Sequence, residues 1–291
     1  MTDATTTLAP APVARRSHAT LGRLVRAELR WIYRRPRTLV VLGLLAAIPV
    51  IVGIALTFVG SAGPGGGGGD GASLLATAAG NALVLPIATL AMALNLLLPL
   101  SAAMSGSDAL AGETAHGTLR GWLLAPVSRG RLLLVKSLGV ATFALSAVLV
   151  MAATGVLTGF VLNGTDGLVT LSGSTLSLPA ALLKVAIAAG WVALQLWAIG
   201  AVALAISAWT EHPMVVLASV LGGVIVFSVL QLLDALEWLH PFLLNDSWLA
   251  LGDVLRDPMP TGGLAEGALR AACYIVIALS IAYAKLSTKD G

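Results

Sequence analysis

The chain has 291 residues, 57% hydrophobic and 11% charged, with a formal net charge of +3. Soluble domains carry roughly a quarter charged residues, so this composition excludes an ordinary soluble fold. Its apolar mass of Leu, Ala, Val and Ile suits lipid-facing helices rather than the alternating strands of an outer-membrane barrel. The small net charge implies no nucleic-acid partner, and a single cysteine, Cys273, excludes an internal disulfide and a cysteine-based metal site. Cys273 lies in an apolar run and reads as a small buried hydrophobe.

Residues 1–19 are rich in Thr, Ala and Pro and predict a disordered cytoplasmic tail. About 37 mostly polar and basic residues precede the first apolar run, so that run is expected to stay as an anchor rather than be cleaved as a signal. Over residues 20–36, Leu21, Leu24, Val25, Leu29 and Ile32 fall on one helical stripe with arginines on the other face. This predicts an amphipathic interfacial helix, with Trp31 and Tyr33 as anchors; a solvated basic helix is the alternative.

Crossing about 30 Å of hydrocarbon takes about 20 apolar residues. Residues 38–60, 82–107, 137–162, 185–210 and 213–233 meet this without one Asp, Glu, Lys or Arg. A sixth span at 264–285 is shorter in effect, because Arg270 and Lys285 leave 14 charge-free residues between them; both charges can snorkel to the interface. The fold class is therefore all-α, a polytopic transmembrane helical bundle of six spans occupying residues 37–286, with a short tail at 287–291. Lys and Arg favour the cytoplasmic side. Of the 17 in the chain, 14 lie before span 1, between spans 2 and 3, or after span 6, and residues 61–81 and 163–183 contain none. The N- and C-termini are expected to be cytoplasmic.

Pro64 to Gly71 reads as a flexible outer linker. It is not a phosphate loop, because GxxxxGK[ST] needs a lysine and none precedes Lys136. Leu171-Ser-Gly-Ser174 has a faint likeness to the signature loop of ABC ATPases but falls outside, away from cytosolic ATP. Residues 234–267 form the longest outer segment. Trp238, Phe242, Trp248, Leu251 and their neighbours are too apolar for a solvated loop, so short amphipathic helices in the outer leaflet, or a cap on the bundle, are expected.

The cytoplasmic loop 108–136 is the informative one. Leu119, Trp122 and Leu123 form one apolar face of a short helix that Pro126 stops, and Ser128 can N-cap the next helix through Arg129, Arg131 and Lys136 into span 3. Such a helix either receives a push from another protein or rests on the membrane. Glu113, Gly117-Thr118-Leu119, Leu123, Pro126-Val127-Ser128-Arg129 and Lys136, between spans 2 and 3 and preceded by a basic helix containing Glu28, resemble the pattern of ABC-2 type transporter permeases. The resemblance covers the whole topology. It implies the permease subunit of an ABC transporter, an exporter, in a bacterial cytoplasmic membrane, pairing with a second permease half as a homodimer and docking cytosolic ABC ATPase subunits. It also implies that the loop is a coupling helix, with Glu113, Gly117, Thr118, Leu119, Arg120 and Leu123 at the ATPase and Pro126, Ser128 and Arg129 holding the elbow. The chain would then hold no cofactor itself, and ATP and Mg would be on the partner ATPase.

Within the spans, Asn95, Gln195 and Gln231 are the candidate substrate-path residues; helix-packing hydrogen bonds explain them without any substrate, and that reading is the favoured one. With no charge deep in a span, an ion-coupled transporter has little support. An intramembrane enzyme is disfavoured because His18, His116, His212 and His240 all lie outside the spans, so the chain is not expected to be an enzyme by itself. The remaining alternative is a membrane anchor or scaffold subunit.

Overall fold

The computed structural model of the chain describes residues 20–59, 81–115, 117, 128–164, 168 and 170–288. The Gly-rich linker and both predicted tails lie outside them, apart from Ser287 and Thr288 of the C-terminal tail. The first helix, α1 (Leu21–Arg34), half-buries the predicted apolar stripe and exposes Arg23, Arg26, Arg30 and Arg34. Arg35, in extended conformation, turns the chain directly into α2 (Pro36–Val59).

The second predicted span is not one straight helix. It is divided into α3 (Val84–Leu94) and α4 (Leu97–Ser107), bent by 59°. Leu96 leaves helical geometry at φ −147°, ψ −52°. Pro99 has no N–H to offer the carbonyl four residues back, at Asn95, and its ring crowds that carbonyl; the Asn95 amide donates to the Ala91 carbonyl at 3.1 Å. Below α4 the chain continues through a π-helical turn, Asp108–Gly112, into a last α turn, Glu113–Ala115.

The remaining helices are α5 (Arg129–Asn163), α6 (Leu178–Ser207), α7 (Pro213–Leu230) and α8 (Gly262–Thr288). Among the described residues, five single helices are long and apolar enough to cross a bilayer, and the bent pair α3–α4, counted as one span, brings the number to six. The all-α polytopic bundle expected from composition is the fold observed. Helix α6 is its axis: 67% of its most apolar stretch is buried, against 17% for α2 and for α7. It packs on α3, α4, α5, α7 and α8. Small residues allow the close crossings, as between lipid-embedded helices generally; a Cβ at Gly106 of α4 would lie 2.6 Å from the Gly200 carbonyl oxygen of α6. Cys273, expected to be buried, instead lies on an exposed face of α8, where a small apolar thiol can meet lipid.

At the end of the bundle away from α1, two 3₁₀ segments follow α7. Asp234–Phe242 buries nothing, whereas Leu244–Leu255 buries Leu244, Trp248, Leu251, Val254 and Leu255 against α3, α6 and α8. Of the two forms expected here, the second segment is a cap. Charged residues fasten it. Arg270 of α8 donates to the Leu243 carbonyl (3.0 Å) and pairs with Asp246 (3.1 Å), and Lys184 of α6 donates to the carbonyls of Val254 (3.1 Å) and Arg256 (2.8 Å). Arg270 and Lys285, read as snorkelling charges, are both engaged by protein: Arg270 by the cap, and Lys285 by the Trp209 ring, 4.4 Å from its centroid.

Candidate functional site

Three elements distant in sequence meet at Lys136 in the first turns of α5. Its ammonium, fully buried, donates to both oxygens of Glu28 from α1 (3.0 and 2.9 Å) and to Oε1 of Glu113 from the turn that ends α4. Glu28 and Glu113 are each 3% exposed. Charges removed from water are tolerated only when paired, and breaking such a pair leaves a costly bare charge. This cluster therefore locks α1, the foot of α4 and the start of α5 into one body.

Around it lies a second layer of charge. The Arg35 guanidinium stacks 3.2 Å from the Trp31 ring centroid, with the Lys136 ammonium 5.3 Å from the same ring. Arg35 and Arg37 each reach one oxygen of Asp108 in the π turn, at 3.4 and 3.3 Å. Burial lowers the Arg35 pKa, while Asp108 foremost, then Glu113 and Glu28, act to raise it. Only about 20 Å³ of free space remains among Glu28, Trp31, Arg35, Asp108 and Lys136, enough for a single water. The cluster is a joint, not a ligand site. Tyr33, expected as a lipid anchor, is spent on the same joint: its hydroxyl donates to Ser146 Oγ of α5 at 2.8 Å.

The joint sits at the feet of the predicted coupling loop. Glu113 is the last charged residue on its α4 side. Gly117 has φ +70° and its N–H bonds to the Thr114 carbonyl at 2.9 Å, a left-handed helix end that glycine adopts without steric cost. On the α5 side Ser128 occupies the N-cap position, but its side chain makes no capping bond; only its carbonyl is used, by the Leu132 N–H. Arg129 donates to the Leu286 carbonyl near the end of α8, tying the other foot to the last helix. Thr118, Leu119, Arg120, Leu123 and Pro126 lie outside the described residues.

Sequence reading named Glu113 and Arg129 as site residues but did not include Glu28, Lys136, Arg35 or Asp108. One signal for Glu28 was present: it is the sole carboxylate of α1 and falls between Val25 and Ile32 on the apolar stripe, where an acid needs a buried partner.

The three amides separate. Asn95 and Gln231 line one cavity of about 780 Å³ at the far end of the bundle. Gln195 does not; it is fully buried, donating to the Gly267 carbonyl at 3.0 Å and so joining α6 to α8.

Comparison with known proteins agrees with this architecture. No curated protein matches the chain. The family model described as ABC-2 family transporter protein matches residues 23–245, a stretch that contains Glu28, Glu113 and Lys136 and reaches the start of the cap. An integral membrane bundle with no strand among its described residues, matched over most of its length, thus belongs to the ABC-2 transporter family as a membrane permease component.

Proposed function

We propose that this permease is the membrane half of an exporter driven by a separate cytosolic ABC ATPase, and that loop 116–127 is where the ATPase pushes. The observation that carries this is the buried Glu28–Lys136–Glu113 cluster. A loop held at both feet by rigid helices transmits displacement; a loop on soft ends absorbs it. Through the cluster a push on the loop moves α1, α4 and α5 together, and through Arg129 it reaches α8.

The rest of the reading follows from charge and family. Fourteen of 17 Lys and Arg residues lie towards the α1 end or on its loops and tails, so that end faces the cytoplasm of a bacterial cell. ATP and Mg belong to the ATPase, and Gly117, Thr118, Leu119, Arg120 and Leu123 are its contacts, whereas Glu113, expected among them, is buried in the joint and acts from within it. A second copy of the permease completes the pathway as a homodimer, using lipid-exposed faces such as that of α2, where Leu44, Ile51 and Phe58 are exposed.

The test is co-expression with the ATPase encoded nearest to this chain's gene, followed by reconstitution. The wild-type permease is expected to co-purify with the ATPase and change its hydrolysis rate. Leu119→Asp should abolish co-purification while leaving membrane insertion intact, and Glu113→Ala should keep insertion but lose the effect on hydrolysis. Unchanged behaviour of both variants would sink the coupling role.

A further inference from the structure

Helix α1 carries a face that the joint does not use. Arg23, Arg26, Arg30 and Arg34 are exposed along it. At about 100° and about 1.5 Å per residue, the four fall within an arc of about 80° and form a row about 16 Å long. Together with Ala27 and Trp31 they border a shallow hollow of about 580 Å³. No carboxylate pairs with any of the four among the described residues. The one carboxylate of α1, Glu28, lies about 120–160° around the helix from the row and is spent on Lys136. Like charges three or four residues apart on a helix repel, so the row is stabilised by an anion laid along it.

Two observations say which anion. The first is depth. Lys136 immediately precedes the charge-free stretch 137–162, and Arg37 immediately precedes 38–60. Helix α1 is bound to the first through Glu28 and runs into the second through Arg35. It therefore lies where both lipid-embedded stretches begin, at the level of the headgroups. The second is the use made of its other face. Ile32 lies against Gly139, and the Tyr33 hydroxyl donates to Ser146, both on α5. The side of α1 that was expected to grip the membrane is taken up by protein. What it turns away from the bundle, at headgroup level, is arginine. Guanidinium groups hold phosphate oxygens through paired N–H donors.

We propose that the arginine row of α1 is a docking surface for the headgroups of anionic phospholipids, whose phosphates lie along Arg23, Arg26, Arg30 and Arg34. It holds the N-terminal arm of the joint against the bilayer. Binding requires neither ATP nor an ATPase, so it stands or falls separately from the coupling role.

The probes are dioleoyl phosphatidylglycerol and dioleoyl phosphatidylcholine, titrated into the full-length permease in neutral detergent, with bound lipid counted by native mass spectrometry. A cationic side chain at an anionic lipid surface contributes about fivefold, so the anionic lipid is expected to bind more than about tenfold more tightly than the zwitterionic one. Raising the salt from about 0.1 to about 0.5 M, which more than halves the screening length, should remove most of that preference. Arg30→Gln should lower it about fivefold. Arg23→Gln, Arg26→Gln, Arg30→Gln and Arg34→Gln together should abolish most of it, whereas the same four positions changed Arg→Lys, which keeps the charge, should retain the larger part. Arg256→Gln removes an exposed arginine at the far end and should leave the preference as it is. Equal binding of the two lipids by the wild type, or a preference that survives the four Arg→Gln changes, would overturn the proposal. So would loss of ATPase co-purification in that variant with its lipid binding intact, which would make the row a protein contact.

Discussion

The two ends of the bundle handle buried polar groups in opposite ways. At the α1 end, Lys136, Glu28 and Glu113 are packed around about 20 Å³ of free space, with both carboxylates ion-paired to the one ammonium. At the far end, the polar groups of the cap surround about 780 Å³, and Asn245 Oδ1 and Trp248 Nε1 have no partner among the described residues. The first arrangement suits a joint that must not deform under load. The second leaves buried polar atoms unmet beside open space. Low local dielectric makes both consequential, since it strengthens a satisfied cluster and penalises an unsatisfied one.

That contrast can be broken most severely at Lys136. Lys136→Met leaves two carboxylates buried together and is expected to destabilise the protein by about 3–5 kcal/mol, read as a large fall in thermal midpoint by scanning fluorimetry in detergent. Adding Glu28→Gln and Glu113→Gln to the same chain should recover most of the stability, because no bare charge remains, while the effect on ATPase rate stays lost. Full function in the triple variant would show that the joint works by shape alone.

Arg270→Met removes the fastening of the cap to α8 and should cost about 1.5–3 kcal/mol, the range for hydrogen bonds to a charged group, moderated by the partial exposure of Asp246. Co-purification of an ATPase should be unaffected, which keeps the two ends mechanically distinct. Tyr33→Phe loses one hydroxyl donor at the joint and should cost about 1 kcal/mol, measured by the same thermal shift. Trp248→Phe is expected to have the smallest effect on stability, within about 1 kcal/mol of wild type and on the stabilising side, because the N–H it removes has nothing to lose. A large destabilisation there would erase the distinction between the two ends.

Much of the fold was legible because lipid imposes one rule on every crossing: a long apolar helix with no charges. The predicted limits of the spans at α2, α5, α6 and α7 fall within a few residues of the helices, apart from the first turns of α5 and α6, which run on past the apolar window. The bend at Leu96 was missed because hydropathy does not register backbone geometry; Pro99 was the signal, yet Pro49 lies inside α2 without ending it. Arg270 was read as a free end charge because its partner, Asp246, lies 23 or more residues away in a segment with no periodicity to place it. The joint was half visible. Glu113 and Lys136 both stood in the loop motif and Glu28 in the basic helix before it, but nothing in the sequence paired them, and only three-dimensional packing brings Lys136 to Glu28.

The π turn at Asp108–Gly112 bears on how the loop is aimed. A π turn accommodates one residue more than an α turn, so it acts as a phase shift written into the chain. Deleting a single residue there, without changing any side chain at the joint, would rotate Glu113 by about 100° around the helix axis and swing it away from Lys136. The direction in which the loop leaves the bundle is thus indexed by a count of residues, and a length change of one is a more drastic mutation at this place than most substitutions.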